Sequence, residues 1–195
     1  MGVTLHRGLP PDRRAEAAAI YWQAFGGKLG RVLGPDARAL TFLTRVIRPD
    51  HAIAALDRGG HLLGLIGFKT AAGAFAGGEL SDLRAVYGQT GALWRAGVMR
   101  LLEREIDNDR FLIDGICVTR AARGRGIGTA LLNAACQEAA RRGYAAVRLD
   151  VIDTNWRARA LYERQGFAAL RSEPLGPLRH VFGFTASTTM VRDLT

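Results

Sequence analysis

Lysine is almost missing from this chain. Lys28 and Lys69 are its only lysines, so arginine carries nearly all of the 27 basic charges that, against 18 acidic ones, leave a formal net charge of +9. A balance of that size invites a polyanion. The arginines are spread along the whole length, however, and zinc-finger spacing, an RNA-binding aromatic strand and a basic tail are all missing. A protein that handles a highly phosphorylated small molecule explains the charge equally well, and no nucleic-acid partner is expected. Cysteine is scarce too: Cys117 and Cys136 stand in apolar stretches without metal-ligand spacing, which argues against a disulfide framework or a metal site and for reduced core thiols. No apolar run approaches the ~20 residues that span a bilayer. The opening MGVTLHRGLPPDRR lacks a signal-peptide core, and His6 stands where myristoylation needs Ser or Thr. A cytoplasmic protein without membrane contact is the expectation.

What is present is ordinary globular material, with 195 residues of which 48% are hydrophobic and 23% charged. That length fits a single domain over 1–195, burying roughly 70% of the unfolded surface. A short strand (VTLHRGL) precedes a helix from about Asp12, whose apolar positions Ala15, Ala18, Ala19, Trp22 and Phe25 keep helical spacing up to Gly26-Gly27. A second helix is expected from Pro35 to Ile47. Residues 51–70 read as a hairpin turning at Asp57-Arg58-Gly59-Gly60. After a small-residue loop, 79–106 is a helical insertion with Trp94, Val98, Leu101 and Leu102 as its apolar stripe. FLIDGICV is a buried strand, followed by the turn TRAARGRGIGTALL, a helix ending at Arg142-Gly143, the strand YAAVRLDV, and a short helix capped by Thr154 or Asn155. Strands near 167–170, 180–184 and 188–192 complete a mixed α/β pattern.

The turn carries the chemistry. Gly124, Gly126 and Gly128 allow a backbone that a Cβ would obstruct, and successive N–H groups can then converge on an anion at a helix start. Arg120, Arg123 and Arg125 add charge, and the Thr129 hydroxyl adds a donor. A P-loop fails, because Thr129 stands where its second glycine belongs and no Lys follows. The dinucleotide fingerprint fits at Gly124 and Gly126, with Asp150 ending the next strand, but Thr129 replaces its third glycine and the βαβ alternation stops near residue 165.

A third pattern, R/Q-x-x-G-x-G/A, is met by Arg123, Gly126 and Gly128. Here the chain resembles the GNAT superfamily of acyl-CoA-dependent N-acyltransferases. The preceding strand closes with ICV, and NWRARALYERQGF downstream is similar to the family's N-x-x-A-x-x-L-Y-x-x-x-G-F. Together these motifs span about residues 111 to 168.

The resemblance implies an α+β fold of three layers, α-β-α, with a central, mostly antiparallel sheet splayed between its fourth and fifth strands. It implies acetyl-CoA as donor, an amine acceptor and direct attack in a ternary complex. The backbone from Gly124 through Arg125, Gly126, Ile127 and Gly128 to Thr129 would hold the pyrophosphate, with Arg123 beside it. Ile116, Cys117 and Val118 form the strand end along which the pantetheine arm lies, Ile116 N–H facing the thioester carbonyl. Asn155 matches a pantetheine contact, a role compatible with a plain helix N-cap. Tyr162 matches the tyrosine that protonates the departing thiolate, its plainer reading being a core residue against Phe167. For the general base, Leu112 stands where some members carry glutamate. Asp114 is then the candidate, sharing a strand face with Leu112 and Ile116 by the two-residue period, or else a structural carboxylate paired to an arginine. Glu79, Asp82 and Tyr87 could reach the site from the insertion. That insertion could cover the acceptor site, form a homodimer contact through Trp94, Val98 and Leu102, or pack on the core. The acceptor would lie among 26–36 and 172–177. The rival to an enzyme is a non-catalytic CoA-binding or sensing domain, which would need the turn and Asn155 but not Tyr162.

Overall fold

The computed structural model describes residues 2–102 and 109–194. Its strands are β1 (Thr4–Arg7), β2 (Ala52–Leu56), β3 (Leu62–Thr70), β4 (Gly73–Ala74), β5 (Arg110–Val118), β6 (Ala146–Ile152), β7 (Ala168–Pro174) and β8 (Ala186–Asp193). The helices are α1 (Arg14–Leu33), α2 (Asp36–Val46), α3 (Leu80–Leu102), α4 (Ile127–Arg141), α5 (Trp156–Arg164) and α6 (Arg179–Phe182). One sheet runs in the order β1-β2-β3-β5-β6-β8-β7, with β4 appended to β3. Among the named strands only β5 and β6 pair in parallel. This is the expected mixed three-layer architecture.

Alternation along the strands divides the core. Ile66, Phe68, Phe111, Ile113, Val147, Leu149 and Met190 face α4 and α5, meeting Ile127, Leu131, Leu132, Ala135, Tyr162 and Phe167. Ala52, Ala54, Leu65 and Cys117 face α1, meeting Ala17, Ala18, Ile20 and Tyr21. A third cluster joins the end of α1 to α2, α3 and α6 through Leu33, Phe42, Leu83, Tyr87, Phe182 and Phe184. The insertion therefore packs on the helical layer. Trp94 departs from its expected stripe and lies 45% exposed, while Val98 packs inward. The helix breaks at Gly88, where φ is 72°, and 103–106 and the Leu101 and Leu102 side chains lie outside what is described.

Two elements differ from the sequence reading. Helix α1 continues through Gly26-Gly27 to Leu33. Three mid-helix glycines, Gly26, Gly27 and Gly30, cost about 1 kcal/mol each, but the extension buries Val32 and Leu33 almost completely, each worth about 1.5–3 kcal/mol. Residues 180–184, expected as a strand, are helical to Phe182. They form the link between β7 and β8, whose Pro174 and Ala186 pair directly. A short apolar run does not reveal its own period; here its phenylalanines seal the end of α1, where Arg31 also donates to the His180 carbonyl.

Candidate active site

The site begins with an irregularity. β3 and β5 pair Gly67 with Gly115 and then Phe68 with Ile113, so Asp114 is an extra residue in β5. This bulge re-aims the strand. Before it, Phe111 and Ile113 face α4; after it, Ile116 and Val118 do. Gly115 instead lies beneath α1, where an added Cβ would come 2.8 Å from the Phe25 ring. Strict alternation would have put Asp114 and Ile116 on one face. The bulge separates them.

The same strand parts from β6. Their parallel pairing covers only Arg110–Leu112 against Ala146–Arg148, after which β6 stays on β8 and β5 on β3. The gap is a V with its vertex at Leu112 and Arg148. Thr119 N–H bonds the Leu63 carbonyl, which fixes the alternation: Cys117 and Gly115 point their backbone groups at β3, while Ile116 and Val118 point theirs into the V. Cys117 is therefore a spacer. Its side chain is buried under α1 and burial pushes the thiol up to about 12.

At the mouth of the V the chain turns into α4. Gly124 and Gly126 both take positive φ, 75° and 74°, and a Cβ at either would meet nothing within 4 Å. The concavity is open, not packed. Gly126 is the N-cap of a 15-residue helix with no acidic residue in its first turn, so the unpaired N–H groups keep their positive potential. Ile127 turns its side chain into the core and leaves only its amide at the turn, and Gly128 and Thr129 are helical. Arg123 Nε donates to the Val118 carbonyl at 3.3 Å. Asn155 caps α5 by accepting from Ala158 N–H at 3.3 Å.

Tyr162 projects from α5 into the core cluster that also receives Ile116 and Val118, its ring 6.1 Å from that of Phe167. Burial raises its phenol to about 12, so the proton stays on the oxygen. Asp114 lies on the opposite side of β5. It is solvent-accessible yet ringed by protein, as on the floor of a cleft; this crowding raises its pKa, opposed by the Ala76 N–H at 3.3 Å and the nearby charge of Lys69. No arginine pairs with it among the described residues. Tyr21 faces it from α1, its own pKa raised by burial and by that carboxylate. Lys69, Tyr21 and the Ala76 amide were not foreseen from sequence, because only the bulge gathers them. Beyond Lys69 a cavity of about 510 Å³ opens against α2, the β3–β4 turn and α3, with Arg45, Glu79 and Asp82 in its wall. Asp82 is engaged there by Arg45 at 2.7 Å, and Tyr87 donates to the Leu33 carbonyl. Among the described residues no group of three metal-ligating side chains occurs, and no helix is long and apolar enough to cross a membrane.

A splayed, mostly antiparallel sheet with a glycine turn at the head of α4 defines a class of acyltransferase folds. Residues 15–167 match the model of the acetyltransferase (GNAT) family, and the chain belongs to it. It is thus an enzyme family of acyl transfer from acyl-CoA to an amine. No curated protein matches the chain. Solved structures do. An N-acetyltransferase from Staphylococcus aureus Mu50 superposes with a TM-score of 0.66 at 16% identity, over 96% of this chain and 99% of that one. A GCN5-related N-acetyltransferase from Kribbella flavida gives 0.64 at 17%, over 98% and 97%. Ard1 from Thermoplasma volcanium gives 0.64 at 15%, over 100% and 99%. At these identities the likeness is one of fold.

Proposed function

We propose that the protein transfers an acetyl group from acetyl-CoA to the amine of an acceptor, by direct attack within a ternary complex. The observation that carries this reading is the V between β5 and β6, which opens onto the glycine turn. One groove then offers a site for an anion at its mouth and unpaired strand backbone along its wall.

In this reading the amides from Gly124 to Thr129 hold the pyrophosphate, with Arg123 and Arg125 supplying charge. The Ile116 and Val118 backbone receives the pantetheine arm as an added strand. The Arg123–Val118 bond occupies one of those carbonyls and opens when the arm enters. Ile116 N–H polarises the thioester carbonyl and stabilises the oxyanion as the amine attacks. Asp114, reached from the α1 side, takes the amine proton. Its raised pKa makes it a stronger base than an ordinary aspartate. Tyr162 keeps its proton up to about pH 12 and donates a hydrogen bond to the thiolate as the C–S bond breaks. Asn155 combines its cap with a pantetheine contact.

The test is release of free CoA thiol with a panel of amines, comparing wild type with Tyr162→Phe. The account expects turnover to fall with acetyl-CoA affinity kept. Equal turnover by the variant would remove Tyr162 from the mechanism.

A further inference from the structure

Arg148 has no role in the transfer just described, yet it is one of two buried arginines with an unpartnered Nε among the described residues. It lies on β6 at the vertex of the V, paired with Leu112 of β5, which pairs in turn with Lys69 of β3. Directly paired residues project to one face. Because Val147 and Leu149 point at α4, Arg148 and Asp150 point to the other side, the side of Lys69, Leu112 and Asp114. Its side chain is only 8% exposed. Among the described residues Nε finds no hydrogen-bond partner, and the nearest carboxylate oxygen, on Asp150, is 3.7 Å from Nη2. That carboxylate is itself held by the Thr189 hydroxyl at 2.6 Å.

A buried guanidinium cannot shed its proton, and burying it without a close partner is costly. Leu112, buried, fills the adjoining strand position on the same face, and an apolar residue would serve a purely structural purpose better.

We propose that Arg148 is a specificity residue that binds a carboxylate of the acceptor, so that the substrate class is an amine that also carries a carboxylate. This rests on the acetyltransferase reading. A planar, singly charged group suits the guanidinium fork, and it meets less repulsion from the neighbouring Asp150 carboxylate than a phosphate dianion would. Asp114 stands two residues past Leu112, about 7 Å along the strand. An acceptor bound at Arg148 therefore presents its amine to Asp114 when a short chain separates the two groups.

The test is binding. Glycine, β-alanine, γ-aminobutyrate and δ-aminovalerate are titrated calorimetrically into wild type and Arg148→Met, beside alkylamines of matching length that lack the carboxylate. Wild type is expected to bind at least one amino acid roughly ten- to a hundredfold tighter than its matching amine. Arg148→Met loses that preference and Arg148→Lys keeps part of it. The same Arg148→Met protein, free of ligand, should unfold at a higher temperature than wild type, since it no longer buries an underpaired charge. Failure of wild type to bind any of the amino acids, or an unchanged preference in Arg148→Met, overturns the proposal. So does a lowered unfolding temperature in that variant, which would make the arginine structural. Acetyl-CoA binding measured on the same samples separates the readings: its loss would count against the acetyltransferase, not against the carboxylate site.

Discussion

Tyr162 and Asp114 lie on opposite sides of β5; burial raises the Tyr162 phenol, and the protein crowded around the solvent-accessible Asp114 raises its carboxyl. The Tyr162 proton is held so firmly that, in the proposed mechanism, it is available for donation at any physiological pH. Tyr162→Phe should lower kcat by roughly a hundredfold while leaving the stabilisation by acetyl-CoA intact. Asp114 makes the opposite demand, since as the proposed base it must be ionised. Its folded pKa is raised from 3.8, so kcat/KM should fall as pH drops through a value above 3.8. Its ionised form is also disfavoured in the folded state, which lowers stability once pH has risen past the folded pKa. Asp114→Asn keeps an oxygen for the Ala76 amide and should therefore remove the acidic limb together with activity, yet unfold at a higher temperature at neutral pH. A pH–rate profile and a melting curve check both; a variant that is fully active with an unchanged acidic limb would exclude Asp114 as the base. Both are candidates from the sequence. The face on which Asp114 lies is not readable there, because one extra residue in β5 inverts the alternation and no composition signals it.

At the scale of elements, local pattern gave most of the strands and helices and misjudged those that tertiary contacts decide. Helix α1 passes through Gly26-Gly27 because Val32 and Leu33 have a core to enter. Within it Gly27 has open space where a Cβ would stand, so Gly27→Ala should raise stability by about 1 kcal/mol, measured by chemical denaturation. A chain that ended its helix at Gly26 would show no such gain. Helix α4 carries a second test. Glu138 is nearly buried, with Arg141 and Arg142 each 2.7 Å from its carboxylate and Arg7 at 3.4 Å. The bonds from Arg141 and then Arg142 lower its pKa from 4.5 to about 2. The depressed value means that this stability is present above pH 4.5 and is lost as pH falls towards 2, about 3 kcal/mol in all. Glu138→Gln should lose most of that at neutral pH and show a shallower acid denaturation. The 180–184 segment was misread because its phenylalanines are apolar in either conformation, and only the β7–β8 pairing shows that it must be a link.

For the whole molecule, the turn and the Asn–Tyr–Gly-Phe spacing pointed to the family from sequence, and the fold agrees with it along the chain. The proposed acceptor side is opaque in sequence, because Lys69, Asp114 and Arg148 come from three strands that only the sheet sets side by side. The central claim is that the groove between β5 and β6 binds acetyl-CoA, and thermal unfolding with and without that compound tests it most directly, with NADH and ATP as controls. Ligand at a hundred times its Kd adds about 2.7 kcal/mol, roughly 5–10 °C in Tm for a domain of this size. A rise of that order with acetyl-CoA, and little with either control, is the predicted result. An unchanged Tm with acetyl-CoA, or an equal rise with ATP, would contradict the account.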